Sequence, residues 1–533
     1  MDNGLRHRIL YLILASVMLY SLIVLGFKKS VINNPFQSAV ISLSFFSVIA
    51  IIIITLYPEL LDPNRKISTI DDYIMIISSA TFTIVSISLI DSFGTDDMEY
   101  IYEALNNLFS GKDPYTAFYT PYGVCPTYTI YGTVAHNFVY PPLSFIIYIP
   151  LYIIIRLLNL PAYTLNIENV LFDIILVLLI YLEGRKKEDP FVLLPVIFLY
   201  VLTTVSIPPF YGVIAVIPAV FLLLSYLNSN KIGGISLALA TSFNQLSWLA
   251  LPFILIYKSN SFYKGKIKAF LSSSYMKSFL ITLLITDLPF LLWNPKSFIY
   301  NVITTDSNTI PVGQIGLTVF SYSGLFQLEP WFFDLSLAIV MLLLIYFYMK
   351  FFEIVKESLW VYPLILSWFL WRTLTEYFFI WIPLLFVSLF RINEFKLPPI
   401  RINLKKDILL PLFLVIFTLS TLGVYAHINY VQNNPIKIES VYVLGNPPYS
   451  AIIIKVKNVK SYPVNITLVR VSLPNNLNMV WNFTSTSIPP NSSSLVFAYA
   501  PYQNMTINST VFTVQVYSDY YFSSYKVNTT TLT

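Results

Sequence analysis

The sequence predicts a polytopic α-helical membrane protein of about 11–13 transmembrane helices, closed by a C-terminal extracytoplasmic β-sandwich domain. Three observations predict it. The 533 residues are 56% hydrophobic and only 11% charged, where a soluble globular chain carries about 25% charge. Apolar runs recur through residues 1–430, and one membrane span needs roughly 20 apolar residues. Beyond residue 430 those runs stop, and short segments alternating Val, Ile, Tyr and Thr replace them, the pattern of half-buried strands. The apolar content excludes disorder, and a net charge of +5 is too small for a nucleic-acid partner. Cys125 is the single cysteine, so there is no disulfide framework or thiolate cluster, and three histidines leave no polyhistidine metal site.

The elements follow in order. Ile9–Phe27 comes after Arg6 and Arg8 and runs into Lys28 and Lys29 without a small-residue cleavage site. It reads as a retained helix, not a signal peptide. Further runs are Ser38–Tyr57, Tyr73–Asp91, Ile167–Leu182, Pro190–Ile207, Gly212–Leu227, Ser278–Trp293, Trp331–Lys350, Leu359–Trp371, Thr375–Phe390 and Ile408–Ala426. Leu143–Leu158 is short and contains Pro150, and it reads as interfacial or re-entrant. Ile232–Tyr257 reads as two short helices broken near Asn244-Gln245, which returns the basic stretch Lys258–Lys277 to the cytoplasm. With the N-terminus inside, inner loops hold 20 of the 32 Lys and Arg, outer loops 6 and the tail 6. That asymmetry is the positive-inside pattern. It gives 13 crossings, or 11 if the broken run only dips in, and it leaves the tail outside.

The tail agrees by a separate signal. Asn465, Asn482, Asn491, Asn504, Asn508 and Asn528 each open an Asn-x-Ser/Thr sequon, and none occurs in residues 1–430. Glycan acceptors of this kind lie outside the cytoplasm. Ala451–Val456, Val464–Ser472, Val511–Tyr517 and Tyr521–Val527 read as strands. Three parts result: N-terminal transmembrane helices (1–72), a second transmembrane domain with a long external loop at 92–166 (73–430), and the tail (431–533).

That loop, from Ser92 to Asn166, is where chemistry is expected, since loops beyond about 12–15 residues are usually functional or disordered. This one is too aromatic for disorder. Thr95 is a good N-cap, and Met98, Ile101, Leu105, Leu108 and Phe109 recur at helical spacing. Asp96 and Asp97 then occupy the first turn of an amphipathic helix at the outer membrane surface. Acidic residues there stabilise a helix by roughly 0.3–1 kcal/mol with no further role. Two carboxylates kept ionised just above the lipid also have what a general base requires.

Gly94-Thr-Asp-Asp-Met-Glu-Tyr100, Gly111-Lys-Asp-Pro-Tyr115 and Tyr140-Pro-Pro-Leu143 together resemble the first external loop of the glycosyltransferase C superfamily. These are polytopic enzymes that use polyprenyl-phosphate sugars, mannosyltransferases among them. Leu288–Phe298 and Arg372–Pro383 are similar to a later span with its external loop and to a late outer Arg-then-aromatic run. The resemblance covers roughly 73–430, is specific within 94–143, and does not reach the tail. It departs at Asn244-Gln245, where many relatives have Lys.

The resemblance implies transfer of a sugar, a hexose, from a polyprenyl-phosphate donor to an external glycan, lipid or protein, with inversion. Asp96 falls on the base position and Asp97 is the adjacent carboxylate. A phosphate leaving group is already a stable anion, so one base suffices. Candidate donor-phosphate contacts are Arg372, His136, Lys112 and Lys296, with Arg156 a further outer cation. Arg372 leads, since a planar guanidinium suits phosphate, although an Arg372–Glu376 pair one helical turn apart accounts for both residues without function. Tyr100, Tyr115, Tyr140 and Glu376 are supporting residues. No cofactor or metal is indicated. The expected partners are the lipid-linked sugar, the surface acceptor and membrane lipids. Asp173, Asp287 and Asp334 lie inside apolar runs, where helix packing outweighs a functional role. Six sequons and an Ile/Tyr/Asn-rich chain with one cysteine point to a glycoprotein of an archaeal cell surface. Two other readings stand beside this one: a transporter or flippase of a lipid-linked glycan, which predicts related halves, and a non-catalytic anchor presenting the tail. No internal repeat stands out.

Overall fold

The structure, a computed structural model, describes residues 3–60, 67–124, 126–187, 189–204, 209–304, 309, 315–392, 403–473, 476–484, 487–502 and 505–529. Cys125 and Asn504 lie outside the described residues. The chain is mostly helical up to Asn433 and strand-rich beyond it. Among the described residues seven helices are long and apolar enough to cross a membrane. They are Gly4–Gly26, Pro35–Leu56, Thr69–Ser88, Ala162–Arg185, Ser274–Trp293, Trp331–Lys350 and Leu404–Asn433. The Pro35–Leu56 helix starts on a local signal: the Asn34 side chain accepts from the backbone of Phe36 and Gln37 at 3.1 and 3.3 Å, and Pro35 takes the first helical position.

The other apolar runs fold as shorter helices: Leu194–Thr204, Val216–Leu227, Val361–Ser367 and Trp381–Arg391. The 232–257 run is divided into Lys231–Thr241 and Leu246–Tyr263, broken at 242–245 as expected. The pair doubles back. Lys258, late in the second helix, donates to the Tyr226 carbonyl at 2.9 Å, just before the first helix begins. Lys258, which opens the basic stretch, is buried beneath the rings of Tyr257, Phe262 and Tyr275.

Charged residues at several helix ends pair with one another. Arg185 pairs with Asp72, Arg391 with Glu183 at 3.8 Å, and Lys350 with Asp407 at 3.0 Å. From Asp407 the Leu404–Asn433 helix runs 30 residues, about 45 Å at 1.5 Å per residue. It ends with Tyr430 packed on Leu468, Tyr517 and Phe522 of the tail.

The tail forms strands β1 (Ile436–Leu444), β2 (Ala451–Asn458), β3 (Val464–Asn465), β4 (Leu468–Leu473), β5 (Asn476–Phe483), β6 (Ser487–Ile488), β7 (Ser493–Tyr499), β8 (Val511–Ser518) and β9 (Tyr521–Asn528). Seven of them make one antiparallel sheet in the order β1-β2-β7-β5-β4-β8-β9, and β3 and β6 pair separately. Alternation explains it: Ile452, Ile454 and Val456 of β2 point inward and are fully buried. The sheet nearly closes on itself, because the Ile438 amide of β1 donates to Ser523 Oγ of β9 at 3.0 Å. Val471, Trp481, Val496 and Val514 fill the interior. The described sequon residues Asn465, Asn482, Asn491, Asn508 and Asn528 are all exposed.

Candidate active site

The start of the Asp96–Phe109 helix is fixed from three sides. Gly94 has φ 75°, and a Cβ there would lie 2.5 Å from the Tyr211 carbonyl oxygen, so only glycine permits this approach. Thr95 caps the helix, its hydroxyl accepting from the Met98 amide at 3.4 Å and donating to the Gly212 carbonyl at 3.0 Å. The buried Asn166 amide donates to the carbonyls of Ser92 and Phe93 at 3.1 Å and of Phe210 at 3.2 Å. Met98, Ile101 and Leu105 are fully buried against Tyr115, Phe138, Phe145 and Tyr148. The apolar face expected at the membrane surface is therefore packed inside the protein, because the loop supplies enough aromatic surface to cover it.

This places both carboxylates in a cavity of about 350 Å³. Asp96 accepts the Thr127 backbone N–H at 2.8 Å, and the Thr127 hydroxyl accepts from Arg372 Nη2 at 3.1 Å. Asp97 takes a hydrogen bond from the Tyr140 hydroxyl. Tyr115 in turn donates to the Tyr140 carbonyl at 2.7 Å, which joins the two short motifs of the loop. Tyr100 donates to the Ala135 carbonyl at 2.6 Å. Asn244 and Gln245, at the tip of the doubled-back helices, also line the cavity. The Gln245 amide is spent on the carbonyls of Val139 (2.7 Å) and Val302 (3.0 Å), so it is a structural tie. Glu376, Tyr377 and Asp334 complete the polar lining.

The electrostatics separate the acids from the cation. Asp97 is half-buried by area but walled in by protein, and it is pushed up to about 7. Burial is the larger cause and the charge of Asp96 the next, and the Tyr140 hydroxyl and Arg372 offset them only in part. At Asp97 burial and the like charge of Asp96 work against the ionised form that the helix N-terminus is expected to favour. Burial also works against the Arg372 charge, but Tyr377, Asp96 and Asp97 more than offset it. Arg372 Nε is buried and makes no hydrogen bond in the described structure.

The structure brings Asp96, Asp97, Tyr100, Tyr140, Arg372 and Glu376 together around one cavity. It leaves other candidates elsewhere. His136 stacks on Phe118 at 4.0 Å, with Nδ1 2.5 Å from the Tyr119 carbonyl oxygen. Lys112 borders a separate surface cleft with Asp113 and Trp293. Lys296 and Arg156 are exposed and line none of this cavity. Tyr115 acts through Tyr140 and lies in the aromatic cluster. Asp287 is held by Ser242 Oγ at 2.6 Å, a helix-packing contact, whereas Asp173 lines an apolar cleft that also includes Glu376. Asp334, expected in packing, also reaches the cavity. Sequence reasoning missed Thr127 and Tyr377. Thr127 carries no local signal: its role exists only because the fold brings Arg372 to it.

The chain matches no family model, no curated protein and no solved structure. The chemistry therefore rests on the site. Among the described residues no group of three or more His, Cys, Asp or Glu is arranged to hold a metal ion. What the cavity offers is a proton acceptor tuned near neutrality, a fixed guanidinium, and an adjoining apolar cleft.

Proposed function

We propose that this protein is a membrane glycosyltransferase, similar in chemistry to the glycosyltransferase C superfamily. In this reading it moves a hexose from a polyprenyl phosphate to a glycan, lipid or protein outside the cytoplasm. The observation that carries the reading is the convergence of Asp96, Asp97 and Arg372 on one cavity, with Glu376 shared between that cavity and the apolar cleft. Asp97 takes the proton of the acceptor hydroxyl. The acceptor oxygen forms the new bond to the anomeric carbon as the bond to the phosphate oxygen breaks, and the configuration inverts. The leaving polyprenyl phosphate carries its negative charge against Arg372, whose planar fork suits phosphate oxygens. The resemblance sets the base at Asp96. The geometry favours Asp97, since a base is most effective with a pKa near the working pH, and Asp96 is held by Thr127 beside it.

The same reading takes 11 or 13 crossings, counts the shorter helices among them, and treats the tail as sandwich-like. The N-terminus is cytoplasmic, and the tail and site are outside at the cell surface. Lys28, an outer charge in that topology, meets the Tyr211 hydroxyl at 3.3 Å, beside Gly94.

The test is release of polyprenyl phosphate from a labelled polyprenyl-phosphate hexose by purified protein, beside Asp97→Asn and Asp96→Asn. Turnover that Asp97→Asn abolishes, with folding intact, is the expected result. No turnover in the unaltered protein across several sugars and acceptor extracts overturns the reading. The same labelled lipid would then be tested for translocation in vesicles.

A further inference from the structure

Among the described residues, a hairpin of the long loop carries the tail domain to the site. Residues 128–134 turn back on themselves: Tyr128 bridges Val134, the Thr129 amide donates to the Thr133 carbonyl at 2.8 Å, and the Gly132 amide to the Thr129 carbonyl at 3.0 Å. Just below the turn, the Ala135 amide donates to the Thr127 carbonyl at 2.8 Å. Thr127 therefore stands at the base of the hairpin with its backbone fixed by it, while its N–H holds Asp96 and its hydroxyl takes Arg372.

The tip of this hairpin rests on the tail. Gly132 has φ 75°, and a Cβ there would lie 1.6 Å from the Thr467 carbonyl oxygen, so the two backbones are in direct contact. Thr467 Oγ1 donates to the Ile130 carbonyl at 3.1 Å and accepts from the Asp519 amide at 3.1 Å. Tyr128 packs into the cluster of Tyr430, Leu468, Tyr517 and Phe522. Thr467 itself is fixed, its amide donating to the Tyr517 carbonyl at 2.9 Å next to β8.

We infer that the tail domain is a positioning part of the active site: through Thr467 it clamps the 128–134 hairpin and so sets Thr127 between Asp96 and Arg372. Loops are the mobile part of a fold; this one is bridged to Thr309 through Thr129, and the tail supplies the tether at its tip. The groups at the contact are backbone and hydroxyl, so the clamp is steric and hydrogen-bonded and is not weakened by salt. For its catalytic consequence the inference rests on the transferase reading.

The test uses the full chain with two readouts. A spin label at Tyr131→Cys, in a Cys125→Ser background, reports motion of the exposed hairpin tip. Donor turnover reports the site. Gly132→Val and Thr467→Val are expected to sharpen the label's spectrum and to lower kcat/KM at least tenfold, with the KM for the lipid donor rising. Thr467→Ser, which keeps the hydroxyl, is expected to restore both. Far-ultraviolet circular dichroism and retention on size exclusion check that each variant is folded. A label that stays immobile in Gly132→Val overturns the clamp, as does a mobile label with unchanged kinetics. A mobile label in a protein whose parent turns over no donor leaves the clamp standing and refutes the transferase reading instead.

Discussion

Thr127 joins Asp96 to Arg372, giving its N–H to the carboxylate at 2.8 Å and taking the guanidinium on its hydroxyl at 3.1 Å. The three residues are far apart in sequence, and the acid and the cation are held by the backbone and the side chain of one small residue. A hydrogen bond to a charged group contributes about 1.5–3 kcal/mol. Thr127→Val keeps the shape and the N–H but loses the acceptor for Arg372. The expected result is a rise of roughly 10–100-fold in KM for the lipid donor, by that same energy, with Thr127→Ser close to the parent. Steady-state kinetics on labelled donor check it.

The pH dependence follows from Asp97, pushed up to about 7 by burial and by Asp96. A base acts ionised, so kcat/KM rises with pH through about 7 and levels above it. Removing the neighbouring charge in Asp96→Asn moves the midpoint to lower pH. Removing the hydrogen bond in Tyr140→Phe, which favours the ionised form, moves it to higher pH. Opposite displacements in the two variants are the signature. Parallel displacements would show that another group controls the profile.

Stability carries the same sign. Asp97 is raised above its ordinary value of 3.8, so the folded state disfavours its ionised form. Its contribution to stability is therefore full below the ordinary carboxylate range and is lost as pH rises from about 4 to about 7. Thermal unfolding in detergent is expected to give a lower Tm at pH 8 than at pH 5. Asp97→Asn is expected to flatten that difference.

Arg372 is the cation at the cavity, and its Nε makes no hydrogen bond in the described structure. Arg372→Lys retains charge but loses the planar fork. Donor KM is expected to rise about tenfold or more, each 1.4 kcal/mol of lost binding being one factor of ten. Inhibition by free polyprenyl phosphate is expected to weaken by the same factor. Equal inhibition of parent and variant would remove Arg372 from the phosphate site.

Gly94 tests the scaffold and not the chemistry. A Cβ there meets the Tyr211 carbonyl at 2.5 Å with φ at 75°. Gly94→Ala is expected to destabilise by about 1–3 kcal/mol, read as a lowered Tm, and to reduce turnover by tilting the helix that carries both acids.

The sequence by itself determined the membrane character, the change to strands after residue 430, the acid-bearing helix and the break at Asn244-Gln245. Each is written in a local pattern: run length, alternation, a cap, or a polar pair in an apolar run. Four strand segments were legible because alternation is a property of neighbours, and β2, β4, β8 and β9 lie where it appears. The burial of Lys258 is not legible in sequence, because a loop lysine and a buried one look alike until Tyr226 and Tyr275 close over it. Charge and side single out Lys112 and Lys296, and nearness to Tyr140 singles out His136, but neither says where a side chain points. Only the tertiary structure decided that Asp97 is driven toward neutrality, that Thr127 mediates between acid and cation, and that the tail reaches the site through Gly132. They depend on what the fold brings together: the walls around Asp97, Arg372 at Thr127, and Thr467 at Gly132. Burial and Coulomb energies are set by distance in space, which no stretch of local sequence encodes.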